Sequence, residues 1–205
     1  MYYQEREGFT TIVKNLLIIN IIVFFGCYLD RSLYLTKTFA LWAPSTGLFR
    51  VWQPLTYMFM HGGFWHIFFN MYTLVIFGMV TERIIGSRKF LIFYLVCGLA
   101  AAAVHLGVNA LVSGPGYPTV GASGAIYGVL IAYAMLFPES RMMLLFPPVV
   151  LKAKWLAAIF IGIELLSGVL GTNDGIAHFA HLGGALAGWL LILFWKHQGT
   201  LFDRN

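Results

Sequence analysis

Charge is nearly missing from this sequence. Only 10% of its 205 residues are Asp, Glu, Lys or Arg, against 60% hydrophobic, and the mean hydropathy is +0.80. Soluble domains carry about a quarter charged residues, so a soluble globular protein is excluded and the chain reads as integral to a membrane. Cysteine is scarce too. Cys27 and Cys97 stand far apart in apolar runs, which leaves no disulfide framework and no thiolate metal spacing; both read as packed free thiols. The net charge of +5 is spread over short loops, so no basic patch offers itself to nucleic acid. Repeats, low-complexity tracts and a second soluble domain are also missing, so residues 1–205 read as a single membrane domain.

What is present is a series of apolar runs. A membrane-spanning helix needs about 20 mostly apolar residues, and six runs qualify as spans, at 12–29, 55–80, 90–112, 121–137, 153–170 and 177–195. The expected fold is therefore an all-α polytopic bundle of six transmembrane helices. The first run is followed by "DRSLYL" rather than a small-x-small cleavage site, so it reads as a retained helix and not a signal peptide. With the N-terminus inside, the inner segments hold Arg6, Lys14, Arg83, Arg88, Lys89, Arg141, Lys152, Lys154, Lys196 and Arg204, and the outer loops only Arg31, Lys37 and Arg50. Positive charge concentrates on the cytosolic side of membrane proteins, which predicts that both termini are cytosolic. The loops "SGPGYPTV" and "GTNDGI" carry no Lys or Arg and face outward on this reading. The long first outer loop includes "LWAPSTGLFRVW", amphipathic enough to lie in the interface.

Polar side chains inside spans are costly and point to function. His66 and Asn70 lie in the second run, His105 in the third, Ser123 in the fourth, Glu164 in the fifth, and His178 and His181 in the sixth. Runs two, four and six all pass from outside to inside, with inner ends marked by Glu82, Pro138 and Lys196. Ser123 and His181 each stand fifteen residues before their marker, His66 sixteen and Asn70 twelve. At about 1.5 Å per residue, all four lie roughly 18–24 Å above the cytosolic boundary. One hydroxyl, two imidazoles and one carboxamide share a layer of the membrane, and that is a candidate site. The Gly- and Pro-rich "SGPGYP" shortens the fourth helix. Irregular backbone at membrane depth is tolerated where it lines a water-filled cavity, and such a cavity admits water to Ser123.

Spacing supports convergence. Ser123 and Tyr127 share a helix face, beside Gly124-x-x-x-Gly128, and His181 is followed by Gly184-x-x-x-Gly188. Small-xxx-small ridges let helix backbones approach closely, which brings His181 to Ser123 as a general base needs. Ser123 stands near a helix N-terminus that favours an anion, and His66 and Asn70 can donate to an oxyanion. Each residue also has a plain reading. A lone Ser in a Gly-rich helix is usually a packing residue, and a lone buried His is usually a helix-to-helix hydrogen bond. His178, His181 and His66 are also candidate metal ligands, but no membrane-depth carboxylate or thiolate stands clearly near them, which argues against a metal site. Asp174 falls in an outer loop, so a Ser-His dyad is expected rather than a triad, and Glu164 is read as bonding to a neighbouring helix.

Taken together, these residues resemble the rhomboid family of intramembrane serine proteases, over nearly the whole chain. "GASG" (121–124) with Tyr127 resembles the family's GxSG nucleophile motif, "AHLGG" (180–184) its AHxxG motif, and "HGGFWHIFFN" (61–70) its second-helix oxyanion segment. Ala177-His178 begins like the AHxxG motif, but its fifth residue is His181, whereas Ala180-His181 is followed correctly by Gly184. The resemblance implies Ser123 as nucleophile, His181 as base, Tyr127 stacked on its imidazole, and His66, Asn70 and the Ser123 backbone N–H as oxyanion hole. His178 is then a cavity-lining residue. No cofactor and no metal are implied. The partners implied are the lipid bilayer and single-pass membrane proteins cut near the outer membrane face, after a small residue where the helix unwinds easily. One departure is visible: Trp52-Gln53 stands where many members carry Trp-Arg, which questions how the first outer loop is anchored. Two rivals are an inactive rhomboid relative acting as a chaperone or binding module, which typically lacks the serine or histidine present here, and a transporter, whose inverted repeats are missing. The small chain suits a bacterial inner membrane.

Overall fold

The computed structural model describes residues 8–112, 117–143, 148–171 and 177–203. Arg6, Asp174, Arg204 and parts of the two outer loops without Lys or Arg lie outside the described residues.

Helix α1 (Thr11–Leu29) is followed by the short α2 (Tyr34–Phe39) and α3 (Gln53–Thr56). Helix α4 (Phe64–Thr73) then passes through a wide π turn at Leu74–Gly78 into α5 (Met79–Ile85), and α6 spans Ser87–Val112. Helix α7 (Ser123–Leu136), strands β1 (Arg141–Met143) and β2 (Val150–Lys152), α8 (Ala153–Leu170) and α9 (His178–His197) complete the order. Among the described residues, five stretches are long and apolar enough to cross a membrane: α1, the continuous Phe64–Ile85, α6, α8 and α9. The fourth expected span, α7, has only 14 residues. It starts at Ser123 because Gly121 takes φ +134°, a left-handed conformation no helix continues from. Outward faces carry bare Ile22 and Phe25 on α1, Phe64, Trp65 and Phe69 on α4, and Leu166 and Val169 on α8. Hydrocarbon accepts those faces and water does not.

One expectation needs correction. The second span, expected at 55–80, occupies 64–85. Met60 takes an extended conformation and Gly63 is fully extended, so the chain winds only short turns before α4 begins. Glu82 therefore lies inside the helix and does not mark its end. Between α7 and α8 the helical bundle carries one short antiparallel hairpin, in which Arg141 pairs with Lys152.

The long segment between α1 and α4 is fastened by Gln53, which is fully buried. Its carboxamide accepts the Trp42 N–H at 3.2 Å and donates to Leu48 O at 3.0 Å and Thr38 O at 3.3 Å. Trp52 Nε1 donates to the same Thr38 oxygen at 3.0 Å. The departure at Trp52-Gln53 thus leaves the loop held by an amide rather than a guanidinium.

Helices α6, α7 and α9 form the centre. A Cβ on Gly184 would meet Gly124 O of α7 at 1.9 Å, and one on Gly188 would meet Gly128 Cα at 2.8 Å. Only glycine allows such a crossing, and it sets the distance between whatever α7 and α9 carry. Both described chain ends lie at one end of the bundle, beside the α5–α6 turn. Arg83 donates to Gly8 O at 2.9 Å, and Lys89 donates to Asp203 O at 2.7 Å.

Candidate active site

The α7–α9 crossing places Ser123 Oγ 2.7 Å from His181 Nε2. Ser123 is the first residue of α7 and His181 lies one turn into α9, so each comes from the N-terminal end of its helix. Ahead of Ser123 the chain is pinned three times. Thr119 and Leu41 exchange backbone hydrogen bonds at 2.9 Å, the Gly121 N–H donates to Tyr57 O at 3.0 Å, and Thr119 Oγ1 lies 2.6 Å from His105 Nε2. His105, also 2.9 Å from Asn109 Nδ2, therefore serves as an anchor for this segment.

Tyr127, one turn after Ser123, stacks on the His181 ring with centroids 4.5 Å apart and planes 8° from parallel. His66 reaches the site from α4. A Cβ on Gly121 would lie 2.8 Å from His66 Nε2 and 3.4 Å from Ser123 Oγ, so imidazole, glycine and serine are packed together. The Gly62 N–H approaches His66 Nδ1 at 3.4 Å, and the ring packs edge-on against buried His61 at 5.0 Å. Asn70 is buried and donates one amide hydrogen to His66 O at 2.8 Å, which leaves the other for a second acceptor. The Ser123 N–H belongs to the first turn of α7, where no intrahelical carbonyl is available.

One expectation fails: a carboxylate does stand beside these imidazoles. Glu164, buried on α8, puts Oε2 2.7 Å from His178 Nδ1 and Oε1 3.0 Å from His181 Nδ1. The second approach is close but lacks hydrogen-bond alignment. Tyr127 also donates its hydroxyl to Oε1. His178, expected as a cavity-lining residue, is buried and paired with this carboxylate. The signal for Glu164 lay in the depth measure that grouped the other residues. It stands twelve residues after Lys152, which by the same measure is about 18 Å along its helix, level with the others. His61 was also missed, because nothing in the spacing separates it from a loop residue. Among the described residues no group of three or more His, Cys, Asp and Glu side chains could hold a metal.

Chemically, the arrangement is a hydroxyl hydrogen-bonded to an imidazole, with a carboxylate on the far ring nitrogen and donors on the near side. These are the parts needed to activate a serine for acyl transfer.

Comparison with known proteins agrees with the sequence motifs. A family model described as Rhomboid domain matches residues 48–197. The human presenilin-associated rhomboid-like protein, mitochondrial, is 34% identical over 149 residues, covering 70% of this chain and 39% of the relative. RHOMBOID-like protein 4 of Arabidopsis thaliana is 32% identical over 160 residues, or 75% of this chain and 37% of the relative. Rhomboid protease GluP of Bacillus subtilis is 37% identical over 94 residues, 46% of this chain and 17% of the relative. The chain thus spans well under half the length of these relatives.

Proposed function

The chain belongs to the rhomboid family, and on that premise we propose that it is an intramembrane serine endopeptidase with Ser123 as nucleophile and His181 as base. The observation that carries the reading is the 2.7 Å contact between Ser123 Oγ and His181 Nε2 at membrane depth. His181 Nε2 takes the Ser123 proton as Oγ bonds to the scissile carbonyl carbon. The carbonyl oxygen, now negative, is met by the Ser123 backbone N–H, the second amide hydrogen of Asn70, and His66. His181 then gives its proton to the leaving amine, and water hydrolyses the acyl-enzyme by the same steps in reverse. Tyr127 keeps the imidazole in place by stacking.

The substrates we infer are transmembrane segments of single-pass proteins, cut near the outer face where the helix unwinds and exposes a carbonyl otherwise held in an i to i−4 bond. Both termini are then cytosolic, as the basic residues suggest. The protein is integral to a membrane, but the mitochondrial relatives do not fit the bacterial inner membrane expected from sequence.

A fluorophosphonate probe tests this without a known substrate. Wild type should label, and folded Ser123→Ala and His181→Ala should not. Failure of folded wild type to label, where a known serine protease does, would favour an inactive relative.

A further inference from the structure

Glu164 is a buried carboxylate that the dyad does not require. Both its oxygens are engaged at the site. Oε2 takes His178 Nδ1 at 2.7 Å, and Oε1 takes the Tyr127 hydroxyl and lies 3.0 Å from His181 Nδ1. All three partners sit on α7 and α9, whereas Glu164 comes from α8. The groups facing the His181 ring are thus Ser123 and Tyr127 from α7, Glu164 from α8 and His66 from α4. His105 of α6 is spoken for by Thr119 and Asn109. Among them Glu164 alone is an anion.

We infer that Glu164 is a positioning residue that completes a Ser123–His181–Glu164 triad, holding the proton of neutral His181 on Nδ1 and stabilising the imidazolium formed when Ser123 gives up its own. This rests on the protease reading above. The argument is one of tautomers. For His181 to accept the Ser123 proton, Nε2 must be bare, so the ring's one N–H must sit on Nδ1. A carboxylate 3.0 Å from Nδ1 is an acceptor only, and it favours that proton there. When Nε2 is then protonated, the positive charge lies beside a buried negative one, in an environment where such attraction is strong. The off-line approach fits a resting site, since catalytic hydrogen bonds often align only once substrate is bound. Tyr127 and His178 hold the carboxylate from its other sides, so it cannot turn away from the ring freely.

The test compares wild type, Ser123→Ala, Glu164→Gln and Glu164→Asp, reading the fluorophosphonate labelling rate, kcat and KM on a transmembrane peptide, and Tm. Glu164→Gln keeps the shape but loses the charge and places an amide where the acceptor stood. It should lower the labelling rate and kcat by about 10- to 100-fold, with KM and Tm near wild type. Glu164→Asp should recover part of the loss. Labelling and kcat within twofold of wild type would overturn the proposal, as would a loss that only follows Tm, which marks Glu164 as a brace between α8 and α9. Should Glu164→Gln fail to fold, the histidine ¹⁵N spectrum of wild type decides, with His181 assigned by its absence in His181→Asn. A proton on Nδ1 supports the triad and one on Nε2 overturns it. If wild type and Ser123→Ala label alike, the protease reading itself falls and the triad with it.

Discussion

At the scale of single residues, the site depends on what is not there as much as on what is. Gly184 has no room for a Cβ, because the Gly124 carbonyl oxygen would lie 1.9 Å from it, and that oxygen belongs to rigid backbone. Gly184→Ala must therefore push α9 off α7, which costs about 1–3 kcal/mol as overpacking and opens the Ser123–His181 contact. Both Tm and labelling rate should fall, whereas Gly162→Ala on α8, where a Cβ would meet nothing within 4 Å, should leave both near wild type. Equal behaviour of the two variants would show that the glycine crossing does not set the geometry. This crossing was legible in the sequence, because a four-residue glycine spacing has a single strong structural use in a membrane. Glu164 was not legible in the same way. A lone acid in an apolar run acquires its meaning from three partners on two other helices.

At the scale of elements, helix ends are fixed by side chains from elsewhere. The first turn of α1 begins inside the bundle, and its Ile12 and Val13 N–H groups donate to the Glu82 carboxylate of α5 at 3.0 and 2.9 Å. Ser87 Oγ donates to the same group at 2.6 Å. Glu82 is 2% exposed, so removing it leaves the buried Val13 N–H without its acceptor, at about 1–3 kcal/mol. Glu82→Ala should lower Tm and increase protease cleavage near α1, with Glu82→Gln between it and wild type; an unchanged Tm would show that α1 needs no cap. At the far end of α7, Glu139 bonds to Lys152, 2.7 Å away, and Lys154. These bonds hold its carboxyl at about 2, below the ordinary 4.5. A lowered carboxylate adds stability above its ordinary value and loses it as pH falls toward the bound one. The group is exposed, so the effect is small. Wild type should melt slightly above Glu139→Gln at pH 6 and level with it near pH 2. A gap that persists at pH 2 would assign the difference to something other than charge. Sequence periodicity could not show either device. It reports which residues are apolar, whereas caps and ion pairs join segments up to seventy residues apart.

At the scale of the whole molecule, the bundle separates a close-packed centre from a looser rim. Helices α6, α7 and α9 meet through glycine and alanine, while α1 and α8 show most of their large side chains to the outside. The nucleophile and base stand on the centre, and the carboxylate that touches the base stands on the rim. The same arrangement makes a prediction about topology. Arg83 holds Gly8 and Lys89 holds Asp203 on either side of one short turn, which brings the two described chain ends to one end of the bundle. Protease-cleavable tags fused at both ends should therefore behave alike in sealed vesicles of known orientation. Both should be protected in vesicles whose lumen corresponds to the cytosol and cut in inverted ones. One tag cut and the other protected would mean that an odd number of helices crosses the membrane. The short α7, with its 14 residues, would then be the element that fails to cross.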